Sequence, residues 1–206
     1  MSIIYRYGNE YYINMTNRCP CRCVFCLRNT TPALGDAETL WLDHEPTVDE
    51  VIDELRKVDL SISDEIVFCG YGEPTVRFDD LKECARRIKE EFHKSVRVNT
   101  NGLGNLINGR DIVPEMEGVI DALSISLNAS NEEEYLALSR PSFGPGSYKA
   151  MIDFTRESKK VVPNITMSIV GESISPESEK ECARIAAELG ATFKVRESVC
   201  GKILIK

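Results

Sequence analysis

The feature that most constrains this chain is a cysteine-rich stretch, Cys19 to Cys26, which holds four of its eight cysteines. Within this stretch, Cys19, Cys23 and Cys26 follow the spacing C-x3-C-x2-C. A loop with three thiolates at this spacing can wrap one face of a cubane iron–sulfur cluster, which proteins usually hold with four cysteines. Three protein ligands would leave one iron open for a group that is not protein.

Other interpretations of the same residues stay open at the level of spacing. Zinc binds C-x2–4-C pairs, but it would need a second pair or nearby histidines, and the histidines are His44 and His93. Buried thiols are usually inert, but four cysteines within eight residues indicate a site. Cys21 lies inside the motif and is an alternative ligand to Cys19. We expect Cys21 to point away from the cluster.

The same spacing, with the aromatic Phe25 directly before the last cysteine, resembles the radical S-adenosylmethionine (SAM) superfamily. In that family the amino and carboxylate groups of SAM chelate the open iron. Reductive cleavage of SAM gives a 5′-deoxyadenosyl radical, which abstracts a hydrogen atom from a substrate. The resemblance implies an enzyme with a [4Fe–4S] cluster on Cys19, Cys23 and Cys26, with SAM as second cofactor and Phe25 as a cofactor contact. It also implies an electron donor such as flavodoxin or ferredoxin.

A narrower resemblance concerns the subfamily. The chain length, the stretch from Asn17 to Cys23 and the Tyr71-Gly-Glu-Pro74 sequence look like the small radical SAM proteins that are associated with TatD nucleases. The activases of glycyl-radical enzymes and the small enzymes of modified-nucleoside synthesis have a similar size. None of these resemblances names a substrate.

Composition bounds the class of protein. A length of 206 residues predicts one domain, 1–206, with the cluster loop at 17–28. No apolar run approaches 18 residues, which predicts no membrane span, and Arg6, Asn9 and Glu10 interrupt any signal-peptide pattern. Eight cysteines without an export signal predict a reducing compartment, the cytoplasm.

The net charge of −8 disfavours a general nucleic-acid-binding surface. It leaves room for a local basic patch of Arg18, Arg22 and Arg28 around the cysteines, so nucleic acid stays undecided as a partner. A barrel open at one side would admit a large substrate, such as a protein segment or RNA, which is a hypothesis. The rival from another class is a non-catalytic zinc or iron–sulfur module that docks a partner protein.

Strand-like and helix-like patterns alternate along the chain. Ser2–Tyr7 and Glu10–Thr16 predict a hairpin around Gly8-Asn9. Further strands are expected at Glu65–Cys69, Val96–Thr100, Ala122–Asn128, Ile165–Val170 and Thr192–Glu197, with one more in the tail, Gly201–Lys206. The alternation predicts an α/β fold with a parallel sheet, either a partial (β/α)6 TIM-type barrel with an N-terminal β-hairpin or an open doubly wound sheet. Polar residues at the carboxyl ends of the strands favour the barrel.

Helix signals separate the strands. Thr47 to Glu50 reads as a capping box, Ser130 to Glu133 caps a later helix, and Ser175-Pro176 begins another. A weak helix is expected near Ile107–Glu117. The connection from Leu27 to Pro46 is long enough to be functional or mobile.

Further site residues are expected at the strand ends. Gly72, Glu73 and Pro74 resemble the superfamily's Gly-Gly-Glu-Pro motif, which contacts the methionine amino group, although Tyr71 stands where the first glycine is usual and an ordinary turn is the alternative. Small polar side chains pointing into the barrel mouth suit the ribose and carboxylate of SAM, and a fifth-strand segment resembles one that packs on adenine, with a core strand as the alternative. These expected contacts are Thr100, Ser126, Asn128, Ser168 and Val170.

Three features are expected to stay outside the site. Asp43 to Glu45 reads as a solvated loop, and Cys84 and Cys182 lie on core faces of helices. Cys200 has no assigned role.

Overall fold

The computed structural model describes residues 1–31 and 33–197 and contains one sheet with helices packed on it. The strands are β1 (Ile4–Tyr7), β2 (Glu10–Ile13), β3 (Glu65–Phe68), β4 (Ser95–Thr100), β5 (Ala122–Ser126), β6 (Asn164–Val170) and β7 (Thr192–Arg196). The strand predicted for the tail, and Cys200, lie outside the described residues.

Every strand of the sheet lies beside its neighbour in sequence, in the order β1-β2-β3-β4-β5-β6-β7. The β1–β2 pair is antiparallel and all the others are parallel. A doubly wound sheet would reverse its strand order at a switch point, and this sheet has no such reversal. The prediction of a partial (β/α)6 barrel with an N-terminal hairpin is confirmed.

Helices follow the strands and cover one face of the sheet. They are α1 (Val48–Leu55), α2 (Phe78–Arg87, continued by a π-helical turn, Ile88–Phe92), α3 (Gly104–Asn108), α4 (Glu132–Ser139), α5 (Ser147–Ser158) and α6 (Pro176–Glu188). Short 3-10 turns occur at Leu27–Asn29, Leu60–Ile62, Pro74–Arg77 and Val113–Met116. No helix in the described part of the chain has the length and apolar character to cross a membrane.

The predicted helix starts are mostly confirmed. Thr47 forms a capping box with Glu50, and Ser175 caps α6 with Pro176 in its first turn. At α4 the cap is Asn131 and not Ser130, because the Asn131 side chain accepts from the Glu134 amide.

The predicted weak helix near Ile107–Glu117 is broken into two pieces. Gly109 adopts φ +62° and ends α3, and a 3-10 turn over Val113–Met116 follows. A residue in the left-handed region commonly ends a helix, and glycine adopts it without a steric penalty.

The two faces of the sheet differ in chemistry. In β4, Val96 and Val98 are buried against the helical layer, whereas the alternating Arg97 and Asn99 lie on the opposite, inner face. The pairing register aligns Asn99 with Ser124, Thr166 and Thr192 in one inner row, and Ser126 with Ser168 and Lys194 in the next. Closed TIM barrels usually fill this space with branched apolar side chains. The inner wall of this barrel instead offers hydroxyl, amide and amino groups.

Ion pairs close the amino-terminal end of the inner wall. Arg97 lies 2.6 Å from Glu10 and 2.9 Å from Glu65, and the Tyr12 hydroxyl donates to Glu10 at 2.7 Å. These charges are partly buried and paired with one another. The opposite, carboxyl-terminal end of the wall is where a ligand would find unpaired polar groups.

A local test of this fold concerns the cap of α1. Thr47→Ala removes the acceptor that the Glu50 amide uses at 3.2 Å. We expect the free energy of unfolding to fall by about 1 kcal/mol. Chemical denaturation measures this change, and Thr47→Ser, which keeps the hydroxyl, is the matched control. Equal stability of the two variants would contradict the role of the cap.

Candidate cluster and SAM site

The cysteine loop leaves β2 and is fixed on both sides. On one side, Arg18 forms an ion pair with Glu45 at 2.7 Å. On the other, the Val24 amide donates to the Leu138 carbonyl at 2.9 Å, beside the C-terminal end of α4. The loop is thus held between the sheet, the long connection and α4.

The four thiols of the loop have different surroundings. Cys19, Cys23 and Cys26 are partly exposed, whereas Cys21 is buried, with 3% of its surface accessible. Hydrogen bonds with the Cys21 thiol lower the pKa of Cys19 and of Cys23, and the same bonds raise the pKa of Cys21. Burial raises the pKa of the Cys26 thiol. The Cys21 thiol therefore lies between those of Cys19 and Cys23 and not away from them as expected, and the choice of ligands among these thiols stays a prediction.

The zinc alternative is not favoured by the arrangement of possible ligands. Among residues 1–31 and 33–197, no three His, Cys, Asp or Glu side chains are grouped so that they would hold a single metal ion. The seven cysteines in those ranges are free thiols. The assignment of Cys19, Cys23 and Cys26 to a cluster stays a prediction.

The turn after β3 packs directly on the start of the cysteine loop. A Cβ atom on Gly72 would lie 2.2 Å from the Thr16 carbonyl oxygen and 2.7 Å from that of Arg18. The Glu73 amide donates to the Arg18 carbonyl at 2.8 Å. Only glycine allows this approach, so Gly72 fixes the turn and the first cysteine relative to each other.

Glu73 is buried, with 4% of its surface accessible, and its carboxylate accepts four hydrogen bonds. The donors are the amide and hydroxyl of Thr75, the hydroxyl of Thr100 and the amide of Asn101. Burial raises the pKa of Glu73, and these hydrogen bonds oppose that change. The carboxylate thereby joins the ends of β3 and β4, and Pro74 begins the buried 3-10 turn beneath it.

Thr100 lies in this network and is only 3% exposed. Its hydroxyl points at Glu73, 2.7 Å away, and not into the barrel mouth as the strand-end position had suggested. The side chain falls on the helix-facing side of β4, with Val96 and Val98, which is the physical reason for the difference. Direct contact of Glu73 or Thr100 with a ligand stays a prediction.

Tyr71 explains how this turn differs from a Gly-Gly-Glu-Pro sequence. Its ring packs edge-on against Trp41 at 5.0 Å, and its hydroxyl donates to the Thr31 carbonyl. Tyr71 forms a second apolar cluster with Tyr5 and Leu40, so it fixes the long connection over the turn. In the described residues this connection is therefore packed against the barrel rather than detached from it.

Four predicted contacts, Ser126, Asn128, Ser168 and Val170, lie at the carboxyl ends of β5 and β6. The Ser168 carbonyl accepts from the amide of Asn128 at 3.2 Å, and Ser126 is paired with Ser168 across the strands. Asn128 has φ +61°, is 3% exposed, and its Oδ1 is buried with no hydrogen-bond partner among the described residues. An unsatisfied buried acceptor is costly, and a bound donor would satisfy it. Val170 and Phe25 are partly exposed.

Arg196 is a site residue that the sequence analysis missed. It ends β7, and its guanidinium is 3.4 Å from the Ser126 hydroxyl and close to Cys23 and Cys69. It is exposed and forms no ion pair with any residue in the described ranges. The alternation of Thr192, Lys194 and Arg196 along the last strand was the available signal, because alternate residues share one face.

The residues that the structure brings together fit a cluster with SAM. Three thiols at a partly exposed loop, an unpartnered amide oxygen on Asn128 and an unpaired guanidinium on Arg196 supply ligands, an acceptor and a cation. An amino acid ligand needs an acceptor for its amino group and a donor for its carboxylate. The Asp43–Glu45 segment serves the scaffold instead, since Glu45 binds Arg18 and His44 bonds the exposed Glu50.

Comparison with known proteins agrees with this geometry. Residues 13–187 match the sequence model of the family described as the radical SAM superfamily. GTP 3′,8-cyclase of Corynebacterium glutamicum (strain R) is 30% identical over 146 residues, which cover 66% of this chain and 35% of that protein. The probable dual-specificity RNA methyltransferase RlmN of Dictyoglomus turgidum is 28% identical over 141 residues, which cover 64% of this chain and 37% of that protein. The chain therefore spans about a third of the length of these two relatives.

Solved structures share the fold. Streptococcus suis SuiB bound to S-adenosylmethionine superimposes with a TM-score of 0.69 at 18% identity, covering 97% of this chain and 43% of that chain. A radical SAM methyltransferase from Sphaerobacter thermophilus gives a TM-score of 0.60 at 17% identity, and the match covers 98% of this chain and 73% of that chain. At these identities the likeness concerns the fold alone.

The packing of Gly72 generates a direct test. Gly72→Ala places a methyl group inside contact distance of two backbone carbonyls, so we expect a loss of about 1–3 kcal/mol in the free energy of unfolding. Gly171→Ala is the control, because its Cβ would meet no atom closer than 3.3 Å. Urea denaturation of both variants measures the difference, and a Gly72→Ala protein as stable as the control would refute the close packing.

Proposed function

This chain belongs to the radical SAM superfamily, and from that premise we propose that it is an enzyme that cleaves SAM reductively at a [4Fe–4S] cluster and abstracts hydrogen from a polar substrate. The observation that carries the proposal is the close packing of Gly72 on the backbone of Thr16 and Arg18. This packing sets the turn after β3 beside Cys19, the first candidate cluster ligand, so that a cluster on the loop and an amino acid at the turn would lie close together.

Each residue of the site has a defined role in the proposal. Cys19, Cys23 and Cys26 hold the cluster, which when bound supplies the electron that cleaves SAM to a 5′-deoxyadenosyl radical. The backbone of the turn at Gly72 and the free Oδ1 of Asn128 accept hydrogen bonds from the methionine amino group. These acceptors orient the amino acid part of SAM.

The remaining side chains bind the rest of SAM and exclude water. Arg196 and Ser126 donate to the methionine carboxylate, while Ser168, Val170 and Phe25 line the space for the adenosine. The polar inner wall beyond them, with Asn99, Ser124 and Thr166, supports a substrate rich in hydrogen-bonding groups.

The finer assignment is the subfamily of small radical SAM proteins associated with TatD nucleases. It is supported by the Asn17–Cys23 stretch and by Tyr71, whose ring and hydroxyl hold the long connection. Free thiols at all seven described cysteines fit a reducing compartment such as the cytoplasm. β7 pairs only with β6 within the described residues. The hypothesis of a large substrate, a protein segment or RNA, requires the wall to be open on that side.

The assay for this function is production of 5′-deoxyadenosine. We expect anaerobically reconstituted protein with dithionite and SAM to form it, because the site holds the ligands for cluster and SAM together. A fully loaded cluster that gives no product would contradict the proposal. Colourless protein that purifies with one zinc would support the non-catalytic module instead.

The choice of ligands has its own test. We expect Cys23→Ala to abolish cluster binding and Cys21→Ala to retain it, because the Cys21 side chain is buried whereas Cys23 is partly exposed on the loop. The iron and sulfide content after reconstitution measures cluster binding in both variants. Each variant replaces one loop cysteine by alanine, so the two are controls for each other. Equal loss of iron from both would overturn the assignment.

The role of Arg196 is tested by removing either its own charge or the carboxylate that it is proposed to bind. The hydrogen bonds of a partly exposed guanidinium to a carboxylate contribute about 1 kcal/mol, so Arg196→Gln is expected to weaken SAM binding roughly fivefold. Decarboxylated SAM lacks the carboxylate and should bind the wild type and Arg196→Gln equally. Isothermal titration measures all four affinities. An equal loss of affinity for both compounds would assign Arg196 another role.

A further inference from the structure

Some arginines of this chain form ion pairs and others do not. Those that form none lie mostly near the cysteine loop and the barrel mouth. Away from the cluster loop and the barrel mouth, every arginine except Arg6 forms an ion pair with an acidic residue. Near the loop and mouth, Arg22, Arg28, Arg140 and Arg196 form none with the residues that the structure describes. Arg28 is half-buried, and the other three are exposed. Of the exposed arginines, Arg22 and Arg140 lie next to each other, since the Arg22 amide donates to the Arg140 carbonyl at 3.3 Å.

These two arginines belong to one surface, which we call the arginine face and define as residues 20–24 and 138–143. The two segments are joined by backbone hydrogen bonds from Arg22 to the Ser139 carbonyl at 3.1 Å and from Ser142 to the Pro20 carbonyl at 2.8 Å. Val24 and Phe143 on this face are 37% and 41% exposed. The face therefore combines two free cations with two exposed apolar side chains.

The two segments of the face have no acidic residue near them in sequence, and Glu132 reaches the edge of this region by accepting a hydrogen bond from the Gly146 amide. Neither residues 17–28 nor residues 135–146 include Asp or Glu, although the chain has 33 acidic residues and a net charge of −8. The other two arginines of these segments point elsewhere, since Arg18 pairs with Glu45 and Arg28 donates to the Cys21 carbonyl at 2.9 Å. A local cationic surface on an acidic protein selects an acidic partner.

The face lies directly beside one candidate cluster ligand. The Cys23 thiol donates to the Ser139 carbonyl at 3.6 Å, and Cys23 is itself partly exposed. A partner bound to the arginine face would therefore lie next to the residue whose carbonyl contacts the Cys23 thiol. Electron-transfer partners bind through small, transient interfaces, and the arginine face is small because it consists of two short segments.

We propose that the arginine face is the docking site for an acidic, low-potential electron-donor protein. This inference rests on the proposed function, because the donor's flavin or iron–sulfur centre is oxidised by one electron, which passes to the cluster site at Cys19, Cys23 and Cys26. Arg22 and Arg140 attract the acidic donor, and Val24 and Phe143 supply apolar contact at the centre of the face.

The experiment uses the reconstituted full chain and an acidic flavodoxin as the probe. The double variant Arg22→Glu/Arg140→Glu is compared with Lys94→Glu/Lys159→Glu, which makes the same change in net charge. Lys94 precedes β4 and Lys159 follows α5, so both lie at the opposite end of the barrel from the cysteines. Affinity for flavodoxin is measured by titration at low and at physiological ionic strength.

The arginine variant should bind flavodoxin about tenfold more weakly at low salt, because a favourable charge becomes a repulsive one at each position. The lysine variant should bind like the wild type. Formation of 5′-deoxyadenosine with dithionite should be the same in all three proteins, whereas formation with reduced flavodoxin should fall in the arginine variant alone.

Two results would overturn the docking site. One is equal weakening of flavodoxin binding in the arginine and lysine variants, which would show an effect of net charge alone. The other is unchanged binding in the arginine variant. Loss of the dithionite reaction in the wild type would instead count against the proposed function, so the two failures are distinguishable.

Discussion

The site depends on one close approach of backbone to backbone. The turn after β3 can lie against the first residues of the cysteine loop only because Gly72 has no side chain, with the Thr16 carbonyl 2.2 Å from where a Cβ would be. The hydrogen bond from the Glu73 amide to the Arg18 carbonyl fixes the same contact. From this contact the buried Glu73 carboxylate extends the connection to Thr75 and Thr100, so that two strand ends and the cysteine loop form one unit.

The fold supplies an inner wall that an ordinary barrel does not have. Ion pairs at one end and rows of Asn, Ser and Thr along its length keep this side of the sheet polar, while apolar residues face the helices. Closed barrels fill this space with a packed apolar core, whereas the wall here presents hydrogen-bonding side chains. The unpaired Arg196 and the unsatisfied Asn128 lie at the end of the wall where the cysteine loop is, which is the end that carries catalysis in TIM barrels.

Much of this arrangement could be predicted from the sequence, because it depends on local patterns. The hairpin, the order of strands and helices and the Thr47 capping box follow from periodicity and from residues three apart. The three-thiolate spacing predicts a cluster, although zinc stays open on spacing alone, and the family match supports the cluster. Local patterns do not show which group each polar or aromatic side chain contacts. The hydroxyl of Thr100 contacts Glu73, Tyr71 contacts Thr31 and Trp41, and Arg196 contacts no acidic residue within 1–31 and 33–197. Each of these outcomes depends on residues far apart in sequence.

The central claim is that three cysteines hold the cluster and that SAM completes it. Electron–nuclear double resonance on the reduced, reconstituted protein with SAM labelled at its amino nitrogen measures this bond directly. The account predicts a hyperfine coupling from the labelled nitrogen that is present in Cys21→Ala, because the ligand set excludes Cys21. A spectrum with no nitrogen coupling when SAM is bound would contradict it, since the last iron would then be closed to SAM.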